Sequence, residues 1–330
     1  MNENGPMTNQ QPLAEATTPA STAGAQGTTD NGCVVVIGVF DGVHRGHRSI
    51  IRHAQDHAQR LKLPLVVLTF DPHPMAILRP AAAPRALATV EYRKRLLQSA
   101  GADAVVVIDF DADVAHLSPA AFVDDYLVKR LSARVVVVGE NFRFGQRAAG
   151  AVADLQILGR DRGFTAEGLP LVADASGLIW SSTEIRSLVS AGDVTGAAEG
   201  LTRPHRVEGT VVLGDQRGRD LGFPTANLAL PDNLAVPGSG VYAGWLVRDP
   251  YGAPAALPAA ISVGNNATFG GTELRVEAFV LDADGWLELY DEFVAIDFVA
   301  RLRGMEKYES VAALTAQMEQ DVAAARVALQ

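Results

Sequence analysis

The feature that most constrains the fold is a change of rhythm along the chain. From Cys33 to about Gly192, short apolar runs alternate with helical segments. Val34 to Ile37, Leu65 to Phe70, Ala104 to Ile108 and Val135 to Val138 are brief, rich in β-branched residues and apolar throughout, as strands covered on both faces are. Between them lie amphipathic stretches such as Ser49 to Leu61, Val90 to Ala100 and Pro119 to Leu131. Strand and helix in alternation predict an α/β unit built on a doubly wound parallel sheet. After a helix-like connector, Leu188 to Glu199, the rhythm becomes strand-like: Arg206 to Leu213, Val241 to Val247, Ala259 to Val263, Leu274 to Leu281 and Phe293 to Phe298, with no long helix before Ser310 to Leu329. A run of strands followed by one helix predicts a separate all-β unit, an antiparallel sheet or small β-barrel with a terminal helix.

The chain has 330 residues, 48% of them hydrophobic and 20% charged, which suffices for about two cores. A net charge of -10 argues against nucleic acid or an anionic membrane as partner, since both select basic surfaces. Local arginine clusters can still hold nucleotides. One cysteine, Cys33, excludes an intrachain disulfide and fits a reducing, cytoplasmic compartment. The first thirty or so residues hold no Lys or Arg and are crowded with Thr, Ala, Gly, Gln and Asn. That is neither a signal peptide nor a membrane span, and it is expected to be a disordered tail. The expected division is a tail over 1–31, an α/β domain over 32–186, a linker over 187–201 and a β domain over 202–330.

Directly after the first apolar run stands Gly38-Val39-Phe40-Asp41-Gly42-Val43-His44-Arg45-Gly46-His47. A glycine-punctuated loop between strand and helix is a natural phosphate site, because the helix start offers backbone N–H groups and the positive end of its dipole. Gly42 and Gly46 remove side chains that would keep a triphosphate off the backbone. His44 and His47, three apart, share a face if the helix begins here. The pair could instead supply two metal ligands, but zinc needs three or four and no Cys, His or Glu cluster follows at ligand spacing.

Phe70-Asp71-Pro72-His73-Pro74 and Gly139-Glu140-Asn141-Phe142-Arg143-Phe144-Gly145 also follow strands, so a parallel sheet would gather them on the same edge. Trp180-Ser181-Ser182-Thr183-Glu184-Ile185-Arg186 reads as a capping box, Ser181 with Glu184, for a helix that stops near Gly192. The same capped start would present Ser182, Thr183 and Arg186 to an anionic phosphate.

In the second half, a loop from Gly214 through Arg217, Gly218, Arg219 and Gly222 ends in Phe223-Pro224-Thr225-Ala226-Asn227. Thr225 and Asn227, two apart in extended chain, point the same way and offer neutral oxygens to a hard cation such as Mg²⁺. In Arg275-Val276-Glu277-Ala278-Phe279-Val280-Leu281, period-2 alternation puts Glu277 with Phe279 and Leu281. A carboxylate on an apolar face is costly unless paired or used. The pattern alone leaves open whether Glu277 is a surface carboxylate beside Arg275 or a working base.

The His44 string resembles the His-x-Gly-His motif of nucleotidyltransferases in the form carried by bacterial FAD synthetases, and Ser181 to Arg186 resembles the Ser-Ser-Thr-x-x-Arg motif of the same family. Pro-Thr-Ala-Asn followed by a Val-Glu strand resembles bacterial riboflavin kinase. From Cys33 almost to its end, the chain is thus similar to the bifunctional riboflavin kinase/FAD synthetases. The resemblance implies an N-terminal, nucleotidyltransferase-like FMN adenylyltransferase domain and a C-terminal riboflavin kinase domain, with ATP as co-substrate and riboflavin, FMN and FAD as substrates or products. It implies an ATP site made of Gly38, Phe40, Asp41, Gly42, His44, Gly46, His47, Asn141, Ser182, Thr183 and Arg186. The kinase ATP site would be Gly214, Arg217, Gly222, Pro224, Thr225 and Asn227, with Mg²⁺ on Thr225 and Asn227. Flavin contacts would come from Phe70, Pro72, Pro74 and Glu277, the last as catalytic base. Two departures stand out: Ala267 where Pro is usual and Asp291 where Gly is common. The rivals are a nucleotidyltransferase for another phosphate with a flavin-sensing module, and a flavin binder without catalysis. Self-association stays open.

Overall fold

The computed structural model describes residues 31–170, 173, 177, 179–214, 222–265, 274–282 and 287–330. The tail expected over 1–31, apart from its last residue, and the Ala267 departure lie outside them. The chain separates into two compact units, dividing between Ser182 and Thr183.

The first unit carries a five-stranded sheet: β1 (Cys33–Ile37), β2 (Leu65–Asp71), β3 (Ala104–Asp109), β4 (Ala133–Gly139) and β5 (Thr165–Leu169), in the order β3-β2-β1-β4-β5. All pairs are parallel. Helices α1 (Arg45–Leu61), α2 (Pro74–Leu78), α3 (Val90–Ser99), α4 (Ala112–His116), α5 (Pro119–Phe122) and α6 (Val152–Arg162) lie between strands. Every residue of β1 is buried, which is why its sequence is apolar without alternation. Helix α1 buries Ile51, Ala54 and Ala58, one face at helical spacing. The helix expected over Pro119 to Leu131 starts as α5 on the Ser118 cap and continues as a π-helix, Val123–Arg130. The wider turn keeps Phe122, Val123, Leu127 and Leu131 in the core together. Neither β5 nor α6 stood out in the sequence. β5 is an edge strand, buried only at Ala166, so burial never imposed an apolar run on it.

The second unit begins with α7 (Ser182–Ala191, Ser182 itself belonging to the first unit) and α8 (Val194–Leu201). The helix expected to stop near Gly192 is α7, and the connector expected over Leu188 to Glu199 is divided between its end and α8, where Gly192 takes a positive φ of 80° and Asp193 caps α8 through Gly196 N. Val194 joins the core of the barrel that follows. Strands β6 (His205–Val212), β7 (Ala226–Ala229), β8 (Gly240–Arg248), β9 (Ala255–Asn265), β10 (Leu274–Val280) and β11 (Phe293–Arg303) close into an antiparallel barrel, β10-β7-β6-β11-β8-β9. Closure leaves no free sheet edge. The inside is filled by Val207, Tyr242, Leu246, Ile261, Ile296 and Phe298, among others. Helix α9 (Val311–Ala328) covers part of the outside, packing Val322 and Ala325 near Phe279 and Leu281.

Candidate active site

The strand order places the topological switch between β1 and β4, because the chain winds outward through β2 and β3 on one side and through β5 on the other. Ligands of open parallel sheets bind in the crevice beyond the carboxyl ends of strands at such a switch. A cavity of about 510 Å³ stands there, lined by Gly38 to Phe40 after β1, by Phe70 near the end of β2 and Pro74 at the start of α2, and by Gly139 at the end of β4 with Asn141 to Gly145 after it. The three loops expected on one edge do meet. His44, Gly46, His47, Asn141 and Ser182 line the same cavity.

The β1 loop turns sharply: Phe40, Gly42 and Val43 have φ of 53°, 77° and 41°. A β-branched residue in that region stores roughly 1–3 kcal/mol of strain. Val43 is held there by full burial and by a hydrogen bond from its N to Phe40 O at 3.1 Å. The turn delivers His44 as the residue before α1, its side chain making no cap bond to the helix. The two imidazoles stack, with centroids 3.6 Å apart, and the Phe40 ring meets His47 edge-on at 5.1 Å. At Gly46, a Cβ would stand 3.2 Å from His44 Cε1, so glycine is what lets the helix start lie this close to the ring.

Asp41, expected at the nucleotide, also ties the loop to two other segments. Asp41 is 2% exposed, and its carboxylate accepts the Leu87 N–H at 2.9 and 3.0 Å. Its carbonyl oxygen accepts Ser182 Oγ–H at 2.8 Å, so Asp41 holds the loop. Gly42 and Pro72 stand outside the wall. Thr183 and Arg186 lie in the first turns of α7, in the second unit. Helix α7 starts at Ser182, which leaves Ser181 at the expected cap position.

Sequence reasoning passed over two groups here. Phe110 and Phe122 join Phe70, Phe142 and Phe144 in an aromatic wall; Phe70 meets Phe110 at 5.7 Å and Phe142 stacks on Phe144 at 5.6 Å. Phe110 follows β3, the same signal that marked the other loops. Arg93, on α3, is buried and donates to Phe70 O at 2.8 Å and Val39 O at 3.3 Å, with Asp71 Oδ1 at 3.5 Å. Burial pulls its guanidinium below the usual arginine range, while Asp41 and Asp71 act to raise it. No local pattern could mark this arginine, since its partners come from the loop after β1 and the end of β2.

In the barrel, β7 and β10 set Asn227 directly opposite Glu277, so the two side chains share a face. Val276, Ala278 and Val280 take the inner face, as the alternation predicts. Thr225 Oγ1 donates to Glu277 Oε2 at 3.4 Å. Asn227 Oδ1 is buried and has no hydrogen-bond partner among the described residues. Against it lies the Gly214 backbone, where a Cβ would come within 2.3 Å of Asn227 Nδ2. Beside this group is a cavity of about 350 Å³ whose wall includes Gly222, Pro224, Thr225, Phe279, Leu289 and Tyr290. Across it Asp282 pairs with Arg326 at 2.5 Å, and that hydrogen bond holds the Asp282 carboxyl below its usual range. Gly214, Asn227 and Glu277 are not in its wall, and Arg217 lies outside the described residues. Asp291 has φ of 62°, which accounts for the glycine common at that position in the resembling family.

The comparisons divide where the architecture does. Residues 26–184 match the family model of FAD synthetase, and residues 201–329 match that of riboflavin kinase. A bifunctional riboflavin kinase/FMN adenylyltransferase of Escherichia coli K12 is 33% identical over 89% of this chain and 92% of its own. One of Pseudomonas fluorescens is 36% identical over 89% and 92%. A solved structure titled as a macrolide-efflux protein from Streptococcus pneumoniae is 33% identical, with TM-score 0.79, over 89% of this chain and 94% of its own. Among the described residues no helix is long and apolar enough to cross a membrane.

With the two family matches falling on the parallel-sheet half and the barrel half, the chain is a two-domain transferase acting on nucleotides and flavins. The N-terminal half adenylylates FMN with ATP to give FAD and pyrophosphate, and the C-terminal half phosphorylates riboflavin with ATP to give FMN. The chain belongs to the bifunctional riboflavin kinase/FMN adenylyltransferase family.

Proposed function

We propose that the two half-reactions use separate residue sets, and that the Asn227–Glu277 pair is the observation carrying the kinase assignment. In that half, the ribityl hydroxyl of riboflavin must lose a proton as it attacks the γ-phosphate of ATP, and Glu277 is the base within the β10 face. Thr225 Oγ1, bonded to Glu277, and the partnerless Asn227 Oδ1 would hold Mg²⁺. These are hard, neutral oxygens of the kind Mg²⁺ accepts while keeping waters and phosphates. The ion would neutralise charge on the transferring phosphoryl group. Gly214, Arg217, Gly222 and Pro224 complete the ATP site.

In the adenylyltransferase half, the phosphate of FMN, with its second ionisation near pKa ~6, arrives already charged, so no base is needed. The step needs positive and dipolar groups at the α-phosphate and the departing pyrophosphate. His44, His47 and the α1 start supply them, with Ser182, Thr183 and Arg186 on the pyrophosphate side. Gly38, Phe40, Asp41, Gly42, Gly46 and Asn141 complete the ATP site, and Phe70, Pro72 and Pro74 face the flavin. Residues 32–186 form this domain, 187–201 the linker and 202–330 the kinase domain, in a cytoplasmic protein.

Two variants test the division. His44→Ala should stop FAD formation from FMN and leave riboflavin phosphorylation in place. Glu277→Gln should lower kinase kcat by about 10²–10⁴ with FMN adenylylation nearly unchanged. Equal loss of both activities in either variant refutes separate sites.

A further inference from the structure

The sequence holds a second histidine pair, His53 and His57, four apart on α1. Helical spacing of four stacks them on one side. The tertiary structure adds Glu167 from β5, more than a hundred residues away: Glu167 Oε2 lies 2.9 Å from His53 Nε2 and 3.0 Å from His57 Nε2. The three ligating atoms all lie within 4.8 Å of one another, and among the described residues no other set of His, Cys, Asp and Glu meets that condition. None of the three lines the switch-point cavity.

We propose that His53, His57 and Glu167 form a binding site for a first-row divalent transition metal such as zinc, apart from both catalytic sites. Two imidazoles and one carboxylate are a donor set that zinc uses with an open fourth position, whereas Mg²⁺ prefers oxygen. In a tetrahedral site with bonds near 2.1 Å, ligand atoms stand about 3.4 Å apart. The two N–O separations need widen by only about half an ångström, a movement that side-chain torsions of half-exposed groups supply. His53 and Glu167 side chains are 40% and 32% exposed, so the metal has a path in, while His57 at 15% anchors the site. Binding moves the remaining His57 proton to Nδ1, so the Arg60 Nη2 that now stands 3.1 Å from that nitrogen must swing away. Arg60 is exposed, and its Nε bond to Asp56 O at 3.2 Å is a solvent-side contact that rotation of the side chain can exchange for water. A bound ion would tie α1, the helix that starts at the catalytic histidines, to the edge strand β5.

The test uses the full chain, stripped with chelator and titrated with Zn²⁺ by calorimetry in excess Mg²⁺, with Co²⁺ as a spectroscopic probe. Expected are one equivalent of Zn²⁺ that Mg²⁺ does not displace, visible bands of a four- or five-coordinate Co²⁺, and a higher melting temperature with metal. Affinity should fall at least ~10-fold in Glu167→Gln and in His57→Gln and persist in His44→Ala. Absence of saturable binding by the parent chain overturns the proposal. So does equal binding by parent and both variants, or loss of binding in His44→Ala, which would place the ion on the other histidine pair.

Discussion

Replacing Arg93 by methionine probes how the adenylyltransferase cavity is held open. The guanidinium joins the β1 loop to the end of β2 through Val39 O at 3.3 Å and Phe70 O at 2.8 Å. Charge-assisted bonds of this kind contribute about 1.5–3 kcal/mol each, but the longer one counts for less. Val39 O also keeps the Thr69 Oγ1 donor at 2.9 Å. Asp71, whose side chain is 50% exposed, is screened by water and loses little. Methionine removes the cost of burying a cation and fills most of the volume. The net loss is therefore about 3 kcal/mol, which for a domain of this size lowers the melting temperature by roughly 6–12 °C. Val39 and Phe70 both line the cavity, so FMN adenylylation should fall with stability while riboflavin phosphorylation persists. Arg93→Lys should not restore it fully, because a compact ammonium lacks the rigid planar fork whose two Nη atoms reach the two carbonyls separately. The assay is the temperature at which each half-reaction is lost after brief heating. A methionine variant whose adenylylation is normal and whose inactivation temperature moves by less than about 2 °C refutes the reasoning.

Asn227→Ala should raise the KM for Mg-ATP in riboflavin phosphorylation, unlike Glu277→Gln, because it removes an oxygen ligand and not a base; initial rates against Mg-ATP distinguish the two. Burial pushes the Cys33 thiol up to about 11, with its Sγ donating to Leu131 O at 3.1 Å. The folded chain should therefore resist iodoacetamide at pH 9 and react only when unfolded. Because the folded value is the higher one, this group's contribution to stability is complete below the unfolded thiol value and is lost as pH rises through about 11. Arg206 and Asp297 face each other across β6 and β11 with two bonds of 2.7 Å. Asp297→Ala should cost about 3 kcal/mol, read as a lower urea midpoint for kinase activity.

Much of this protein is settled by sequence because its signals are local. A strand buried on both faces must be apolar, which made β1 to β4 legible; a helix face must recur at three to four residues, which revealed α1 and α3. Alternation in β10 separated Glu277 from Val276 and Ala278, and the order of loops and motifs placed the two chemistries in their halves. The tertiary structure decided what depends on distant partners. Strand order, and with it the switch point between β1 and β4, arises from pairing that no local pattern encodes. The edge strand β5 and the short β7 were not legible as strands because little burial or length shaped their residues. That the Asp41 carboxylate takes the Leu87 N–H, 46 residues on, was likewise invisible in the sequence. Arg93 and the cluster of His53, His57 and Glu167 acquire meaning only when folding brings far segments together, since charge, hydrogen bonding and metal ligation act through space and not along the chain.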